Sequence, residues 1–293
     1  MCASGVREAG DIAERLHRRP AESDFRRLPI TVREYRAGSM TPAQRTDAAR
    51  AVLEVVVDRI GLPTLYGGDA YGPNIRWRTD ERTLLLNHGV EGLQLSVRRT
   101  AELEQAEFAR FERGVGDGPE QVSYASSLPY LWQLYRSGPG SPPEVYPAGY
   151  VTPDWERLEE ALESLLRAWG EQLPAQVGDD TAAFNIVNGA DNGRAVGLLC
   201  GRTEGLTVLV DDRGVPGGTP PDEMEGRGWQ VPLMGWWEAN FAELGWESAA
   251  TAAQMAVAEL RFRGARSPRE LGLDDVSCAD RGVLTLPGLG ISG

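Results

Sequence analysis

The sequence predicts an α+β fold in which a helix and an antiparallel meander sheet occur twice. Each half of the chain carries a helix start signal in which proline follows a threonine cap: Thr41 and Pro42 in the first half, Thr152 and Pro153 in the second. Three short strand-like segments separated by turn residues follow the helix in both halves. We interpret the halves as two related copies; the alternative is that helix-plus-meander is a common unit and the likeness is accidental.

The composition is typical of a globular protein without a membrane segment. At 293 residues the chain is long enough for two ordinary domains, and a 41% hydrophobic content with eight tryptophans can fill a core. No apolar run approaches the roughly 18 residues of a membrane span, and the N-terminus lacks the apolar region of a secretory signal. Cys2, Cys200 and Cys278 are widely spaced, which suits a reduced compartment. These features predict a cytoplasmic protein.

The formal net charge of −13 is concentrated in the second half of the chain. Residues 1–50 carry ten arginines against seven acidic residues, whereas residues 151–293 carry eleven against twenty-three. An acidic body disfavours the phosphate backbone of nucleic acids. The charge favours a basic client, or the chain's own basic arm; the alternative is that it only maintains solubility. The chain has no lysine, which a GC-rich genome or avoidance of lysine modification would explain.

The first half begins with an arginine-rich arm, residues 1–40, in which a short helix over 11–19 ends at Pro20. A longer, capped helix follows over 41–60, and a loop rich in glycine, tyrosine and proline occupies 66–73. The segments predicted after this loop are strands at 74–78, 83–87, 92–98 and 131–135 and a helix at 100–113.

A linker rich in proline and glycine, residues 137–153, separates a predicted N-terminal α+β domain over 41–136 from a second one over 154–293. The helix that opens the second domain has its apolar residues on one face and glutamates on the other, with Glu163 within reach of Arg167. The strands predicted after this helix are at 182–187, 195–202 and 206–210.

Tryptophan is densest near the C-terminus, where four of the eight tryptophans fall within residues 226–246. An alanine-rich segment with small residues at helical spacing follows over 249–260 and predicts an amphipathic helix. Gly264 is a suitable residue for the end of this helix, and Ser267 followed by Pro268 predicts that another helix begins there.

This C-terminal arrangement resembles the TY-Chap family, which comprises actinobacterial domains related to YbjN proteins and type III secretion chaperones. The matching residues are Gly228, Trp229, Pro232, Trp236, Trp237, Leu260, Arg261, Ser267, Pro268 and Leu271. The resemblance extends loosely back to Asp154 and so covers under half of the chain. It implies a chaperone-like α+β binding fold without catalytic residues. It also implies that the two copies form a pseudo-dimer, that is, an arrangement within one chain like the dimer that secretion chaperones form.

The residue types that most enzymes use are scarce, and we therefore predict a protein that is not an enzyme. Without lysine there is no Schiff-base residue and no Walker-type phosphate lysine, and His17 and His88 form no metal-binding pair. His88 is predicted in an exposed hairpin turn and Cys200 in the core. Cys2 has no glycine-rich oxyanion context beside it, and the aspartate doublets fit turns. No cofactor and no metal ion are predicted.

The candidate partner-binding residues are aromatic, because indole and phenol rings are favoured at binding hot spots. The competing interpretation, that the rings fill the core, applies to at least half of the tryptophans. Trp236 and Trp237 are adjacent, so in a strand they point to opposite faces and one of them is a candidate exposed anchor. The full set of candidates is Trp229, Trp236, Trp237, Phe241, Trp246, Tyr66 and Tyr71.

These observations predict a chaperone-like or adaptor-like protein-binding module that holds an apolar or basic segment of a protein client on an open sheet face or edge. One alternative is an immunity protein that neutralises a toxin. A second is an enzyme of unfamiliar type that uses carboxylates and arginines, which a deep pocket with perturbed pKa values would favour. A homodimer is a further partner hypothesis, and neither nucleic acid nor a membrane is a predicted partner.

Overall fold

The structure of the chain, a computed structural model, has an α+β architecture with two antiparallel sheets. It describes residues 3–35, 40–89, 91–113, 127–135, 152–178, 180–189, 195–201, 205–211, 219–233, 236–242, 245–278 and 282–291. The first half of the described chain contains helices α1 (Ala3–Arg18), α2 (Pro42–Ile60) and α3 (Thr100–Arg113) and strands β1 (Ile30–Glu34), β2 (Leu65–Gly68), β3 (Asn74–Arg78), β4 (Arg82–Gly89), β5 (Gly92–Arg99) and β6 (Trp132–Tyr135). The second half contains helices α4 (Trp155–Gln176), α5 (Pro221–Gly226) and α6 (Trp246–Phe262) and strands β7 (Ala182–Asn188), β8 (Ala195–Gly201), β9 (Gly205–Asp211), β10 (Gln230–Leu233), β11 (Trp236–Phe241), β12 (Leu271–Cys278) and β13 (Val283–Thr285).

The first sheet has seven strands in the order β1-β5-β4-β3-β2-β6-β13 and is covered on both faces at β3. On one face the indole N–H of Trp77 donates to Gly61 O at the end of α2, at 2.8 Å. On the other face Arg76 forms a bidentate ion pair with Glu107 of α3, at 2.7 and 2.9 Å. Every residue of β3 is therefore buried, including its two arginines.

The second sheet has six strands in the order β10-β11-β9-β8-β7-β12, and helices α4 and α6 pack on one of its faces. Burial alternates along β7, where Phe184 and Ile186 are buried and Asn185 and Val187 are half-buried. Phe184 meets Trp169 of α4 edge to face, with the ring centroids 5.5 Å apart. The opposite face keeps half-buried apolar side chains in contact with solvent, among them Val187, Leu199, Leu209 and Trp236.

Helix α4 connects the two halves, because its buried amide side chains bind the backbone of the first sheet. Gln176 accepts a hydrogen bond from Gly67 N–H at 3.0 Å and donates one to Gly67 O at 2.9 Å. One turn earlier, Gln172 accepts from the indole N–H of Trp132 and donates to Asp69 O, both at 2.9 Å. The buried residues of both halves accordingly form one continuous hydrophobic core.

The two halves share an order of elements. In the first, α2 precedes the meander β2-β3-β4-β5, then comes α3, and β6 returns to pair beside β2. In the second, α4 precedes β7-β8-β9, β11 extends the meander, then comes α6, and β12 returns to pair beside β7. Helix α5 and strand β10 are additional in the second half. The predicted α+β class with antiparallel meander sheets is confirmed, and the common origin of the two halves stays a prediction.

Elements with strong local signals lie where the sequence predicted them. The capping box of α2 forms in both directions, since Gln44 N–H donates to Thr41 Oγ1 at 3.3 Å and Thr41 N–H donates to Gln44 Oε1 at 2.8 Å. The helix ends at Ile60, as predicted, with Gly61 as its C-terminal cap. Helix α3 and strands β3, β4, β5, β7, β8 and β9 also agree with the predicted segments to within a few residues.

The predicted loop over 66–73 is wrong in its first part, which forms β2. Glycine has a low strand propensity, so Gly67 and Gly68 did not indicate a strand. They are needed because other elements approach closely: a Cβ at Gly68 would overlap Gln172 Oε1 of α4, and one at Gly67 would lie 2.8 Å from Trp132 O of the neighbouring strand β6. Tertiary packing, rather than local propensity, decides this strand.

The helix of the arginine-rich arm is longer than predicted, and a strand follows it. The helix begins at Ala3 instead of residue 11, and α1 packs on α2 with Ala13 and Leu16 buried. Strand β1 then pairs with β5 at one edge of the first sheet, and β13 from the C-terminal end of the chain pairs with β6 at the other edge. The first sheet thus includes strands from outside the range 41–136 that was assigned to the N-terminal domain.

Two predicted helix starts in the second half differ from the structure. Asp154, not Thr152, caps α4 by accepting a hydrogen bond from Arg157 N–H at 2.9 Å. The helix predicted after Ser267 is a single turn of 3-10 helix, Pro268–Glu270, because β12 begins immediately after it. Residues 137–151 of the predicted linker lie outside the described residues.

Within the described part of the chain, none of the helices combines the length and the apolar composition that crossing a membrane requires.

Candidate functional site

Helices α4 and α6 pack side by side in opposite directions, and each begins with a tryptophan. Arg167, near the middle of α4, lies over the ring of Trp246, the first residue of α6. Arg261, at the end of α6, lies over the ring of Trp155, the first residue of α4. A tryptophan–arginine stack therefore occupies each end of the region in which the two helices run side by side, and these are called the two ends of the helix pair.

The stack of Trp246 and Arg167 is the more exposed of the two. Trp246 is 64% exposed, and the guanidinium carbon of Arg167 lies 4.3 Å from the centroid of its ring, within the range of a cation–π interaction. The same guanidinium makes a long hydrogen bond of 3.4 Å to Ala70 O in the loop after β2. The predicted pairing of Arg167 with Glu163 does not form, because the arginine reaches toward α6 and this loop instead.

The stack of Trp155 and Arg261 lies in an acidic groove. The guanidinium carbon is 6.0 Å from the ring centroid, and the half-buried indole packs against the edge of the core. The groove has a volume of about 680 Å³ and is open to solvent. Its lining consists of Asp154, Trp155, Glu156, Glu159, Glu160, Glu163 and Arg261.

Most of the negative charge in this acidic groove is not neutralised. Glu160 pairs with Arg157 at 3.0 Å. Among the described residues, Glu156, Glu159 and Glu163 have no cationic side chain within 4.0 Å. Like charges spaced four residues apart on a helix repel one another, so Glu159 and Glu163 do not contribute to the stability of α4. A cationic group placed in the groove would relieve this repulsion.

A second, smaller recess lies past Arg167, near the start of α2. It has a volume of about 110 Å³ and is lined on one side by Arg45 and Glu171. These two residues form a bidentate ion pair, with Nε of Arg45 2.9 Å from Glu171 Oε2. Pairing with this carboxylate raises the pKa of the Arg45 guanidinium. The remaining lining residues are Pro42, Leu166, Arg167, Gly170, Leu206, Gly245, Trp246, Ser248 and Ala249.

On the other side of the Arg45–Glu171 pair, three aromatic side chains surround a still smaller recess of about 20 Å³. Tyr35 and His88 lie with their ring centroids 5.5 Å apart, and Tyr71 is at the rim. Burial lowers the pKa of His88, and the Arg45 charge lowers it further. Burial raises the pKa of Tyr35 to about 12. His88 belongs to β4 and is half-buried, which corrects its predicted place in an exposed turn.

The seven aromatic candidates from the sequence differ widely in exposure. Trp246 and Tyr71 are 64% and 62% exposed, whereas Tyr66, Trp229 and Trp237 are buried in the core. The expectation that those three buried rings form an accessible surface is therefore corrected. The adjacent indoles of β11 do point to opposite faces, with Trp237 inward and Trp236 half-buried on the outer face; Phe241 is also half-buried.

The structure brings together the two exposed candidates and adds residues that the sequence analysis missed. Arg167 connects Trp246 to the loop that carries Tyr71, because it stacks on the first and donates to the carbonyl oxygen preceding the second. Trp155 is one of the apolar residues that the sequence pattern places on the buried face of α4, and Arg261 received no role in binding. Trp155 directly follows Asp154, a residue type that often caps helices, so the sequence could have indicated that Trp155 begins the helix. The first residue of a helix lies at the edge of a core, where a side chain remains partly accessible.

Charged side chains in the interior are paired with one another and line none of these three recesses. Glu259, which is 1% exposed, accepts a hydrogen bond from Arg263 at 2.7 Å and pairs with Arg227. In the part of the chain that the structure describes, no three histidine, cysteine or acidic residues are grouped so as to hold a metal ion. Cys200 is buried and free, as predicted, and burial raises the pKa of its thiol to about 12.

Comparison with known proteins identifies no relative of this chain: no family model, no curated protein and no solved structure matches it.

Proposed function

We propose that the protein is a non-enzymatic, chaperone-like or adaptor-like binding module that holds a cationic segment of a protein client in the acidic groove of α4. The observation that supports this proposal is the combination of an open groove of about 680 Å³ with three glutamates that have no cationic partner among the described residues. The client would supply the missing positive charge.

The composition of the acidic groove also indicates how a client would be recognised. An arginine of the client can pair with Glu159 or Glu163 beside the indole of Trp155, because a guanidinium has several donors and pairs readily with carboxylates. Ion pairs at an exposed site are weak one at a time, so several arginines in one segment are required. The charge also favours encounter, and salt would weaken the binding because it screens exposed charges within about 10 Å.

The experiment that tests this proposal uses a fluorescently labelled decapeptide of alternating arginine and leucine and measures its binding by anisotropy. We expect the double variant Glu159→Gln/Glu163→Gln to bind the peptide about three- to tenfold more weakly, because two exposed ion pairs are lost. The control is Glu54→Gln/Glu247→Gln, which removes the same charge from two exposed positions outside the groove and should bind like the wild type. A second peptide with glutamate in place of arginine should not bind. Equal weakening in both double variants, or equal binding of both peptides, would refute the proposal.

Three finer proposals accompany it. The kinship with TY-Chap and secretion-chaperone domains depends on the resemblance of the residues between Gly228 and Leu271. The origin of the two halves as a pseudo-dimer is supported by their shared order of helix, meander, helix and returning strand. A cytoplasmic location is supported by the buried free thiol of Cys200. The same acidic groove would serve an immunity protein against a basic toxin, and in that case the client is the toxin.

The enzyme alternative has weaker support. The recess beside His88 and Tyr35 has perturbed pKa values, but its volume of about 20 Å³ is far below the roughly 300 Å³ at which ligand pockets begin.

A further inference from the structure

Arg167 carries a positive charge for which the described residues provide no carboxylate. Its guanidinium stacks on Trp246 and makes one long hydrogen bond to Ala70 O, and no described acidic side chain lies within 4.0 Å of it. The side chain is half-buried. In a chain with a net charge of −13, a partly desolvated cation without a counter-ion is unusual, because burial penalises an uncompensated charge.

The recess beside Arg167, of about 110 Å³, contains a second guanidinium but, among the residues described as lining it, a single carboxylate. The Arg45 side chain uses Nε and one amino group for Glu171, and its other amino group donates to Met40 O at 3.0 Å. Arg45 and Glu171 therefore neutralise each other, and the recess retains the net positive charge of Arg167. Trp246, Leu166 and Leu206 contribute apolar atoms to the walls of the recess.

Backbone donors add to this charge. Helix α6 begins at the recess with Gly245 as its N-terminal cap, and glycine supplies no side-chain acceptor. The first N–H groups of α6 thus lack the side-chain cap that Thr41 and Asp154 provide for α2 and α4. Ser248, in the first turn of α6, also lines the recess with its hydroxyl group available as a donor.

We propose that this recess is a binding site for a compact oxyanion, in which Arg167 provides the uncompensated charge and Trp246 the stacking wall. The volume of about 110 Å³ is sufficient for a single carboxylate or phosphate group. The carboxylate of a peptide C-terminus, an acidic side chain and a phosphate group share this chemistry. The site is distinct from the acidic groove: the two stacks are separated by twelve residues of α4, or about 18 Å at the rise of an α-helix.

The experiment monitors the side-chain N–H signals of arginine and tryptophan by NMR during separate titrations with inorganic phosphate and with acetate, at constant ionic strength. We expect saturable shifts of the Arg167 Nε–H and Trp246 indole N–H signals with at least one of the two anions. The variant Arg167→Met retains an apolar side chain over Trp246 and removes the charge, and should weaken binding about tenfold or more, as loss of a charge-assisted contact does.

The matched control is Arg261→Met, which makes the same change over Trp155 at the other end of the helix pair. It should bind the anion like the wild type. A tetrapeptide with a free C-terminus, compared with its amidated form, distinguishes a peptide carboxylate from phosphate as the preferred group. An unchanged amide spectrum away from the substitution checks that each variant is folded.

If neither anion gives a saturable shift, or if both variants lose binding equally, the proposal is wrong. The cationic peptide is absent from these titrations, so this outcome is independent of the acidic groove.

Discussion

The two ends of the α4–α6 helix pair use the same pair of residue types in opposite electrostatic surroundings. At one end Arg261 lies over Trp155 in a groove with four glutamates, so the net charge there is negative. At the other end Arg167 lies over Trp246 beside a recess whose described lining has one carboxylate, which is already paired. A stacked tryptophan and arginine therefore occur in surroundings of opposite charge. If both proposals above hold, the neighbouring charges decide whether such a surface binds a cation or an anion.

The largest effect that bears on this comparison should come from Glu259, which holds the C-terminal end of α6 beside the acidic groove. Its carboxylate is buried and accepts a hydrogen bond from the buried Arg263. We expect Glu259→Gln to lower the free energy of unfolding by about 3 kcal/mol, because removing one partner leaves the other charge uncompensated. Urea denaturation would measure this change. The control Glu247→Gln, at an exposed position of the same helix, should change the stability by less than about 0.5 kcal/mol. Equal stabilities of the two variants would show that Glu259 does not anchor α6.

A smaller, pH-dependent effect is expected at the recess end, where Asp69 shapes the loop that contacts Arg167. Asp69 Oδ1 accepts hydrogen bonds from Tyr71 N–H at 2.7 Å and Gly72 N–H at 2.9 Å, and burial raises the pKa of this carboxyl to about 6. The native state therefore binds a proton more tightly than the unfolded chain, in which the pKa is near 4. The stabilisation is fully present below pH 4 and is lost as the pH rises through 6.

The measurement is the free energy of unfolding at several pH values between 4 and 7, for the wild type and for Asp69→Asn. We expect the wild type to lose about 1–2 kcal/mol relative to the variant over this interval, because the asparagine side chain does not ionise. Parallel profiles for the two proteins would mean that the pKa of Asp69 is not raised.

The smallest effect is a difference in the quenching of tryptophan fluorescence that compares the two ends directly. The positive recess should concentrate iodide near Trp246, and the acidic groove should concentrate caesium near Trp155. The variant Trp246→Phe should therefore lose mainly the fraction of emission that iodide quenches, and Trp155→Phe mainly the fraction that caesium quenches. We expect each preference to decrease when the ionic strength is raised, because salt screens the local charge. If both variants show the same quenching by iodide and by caesium, the proposed difference in local charge between the two ends is wrong.

Sequence patterns were sufficient for elements whose signals are local. The capping residues Thr41 and Gln44, the spacing of apolar residues in α2 and the alternation along β5 each depend on neighbours within a few positions. Strand β2 could not be predicted in this way, because its two glycines weaken the local strand signal. Their role is evident only in the folded protein, where Gln172 and Gln176 of α4 lie against them. The same limit applied to the start of α4, where Thr152 and Asp154 are both suitable capping residues. In the fold Asp154 caps the helix, and the hydroxyl group of Thr152 donates to Leu289 O instead.

The candidate site was predictable in chemistry but not in position. Acidity, many tryptophans and the absence of lysine are properties of the composition, and together they favour a protein-binding surface. The alternation along β11 also predicted that Trp236 and Trp237 face opposite ways. Which face is covered depends on helices far away in the sequence, so the burial of Trp237 did not follow from the pattern.

The sequence alone determined the α+β class, those helices and strands that have local signals, and the acidic character, because caps, periodicity and charge are properties of short segments. Only the tertiary structure decided that Trp246 and Tyr71 are the exposed rings among the candidates, and that Arg167 faces Trp246 instead of Glu163. The physical reason is that exposure and ion pairing depend on which surfaces meet. Residues 155 and 261 become neighbours only when α4 and α6 pack in opposite directions on the second sheet.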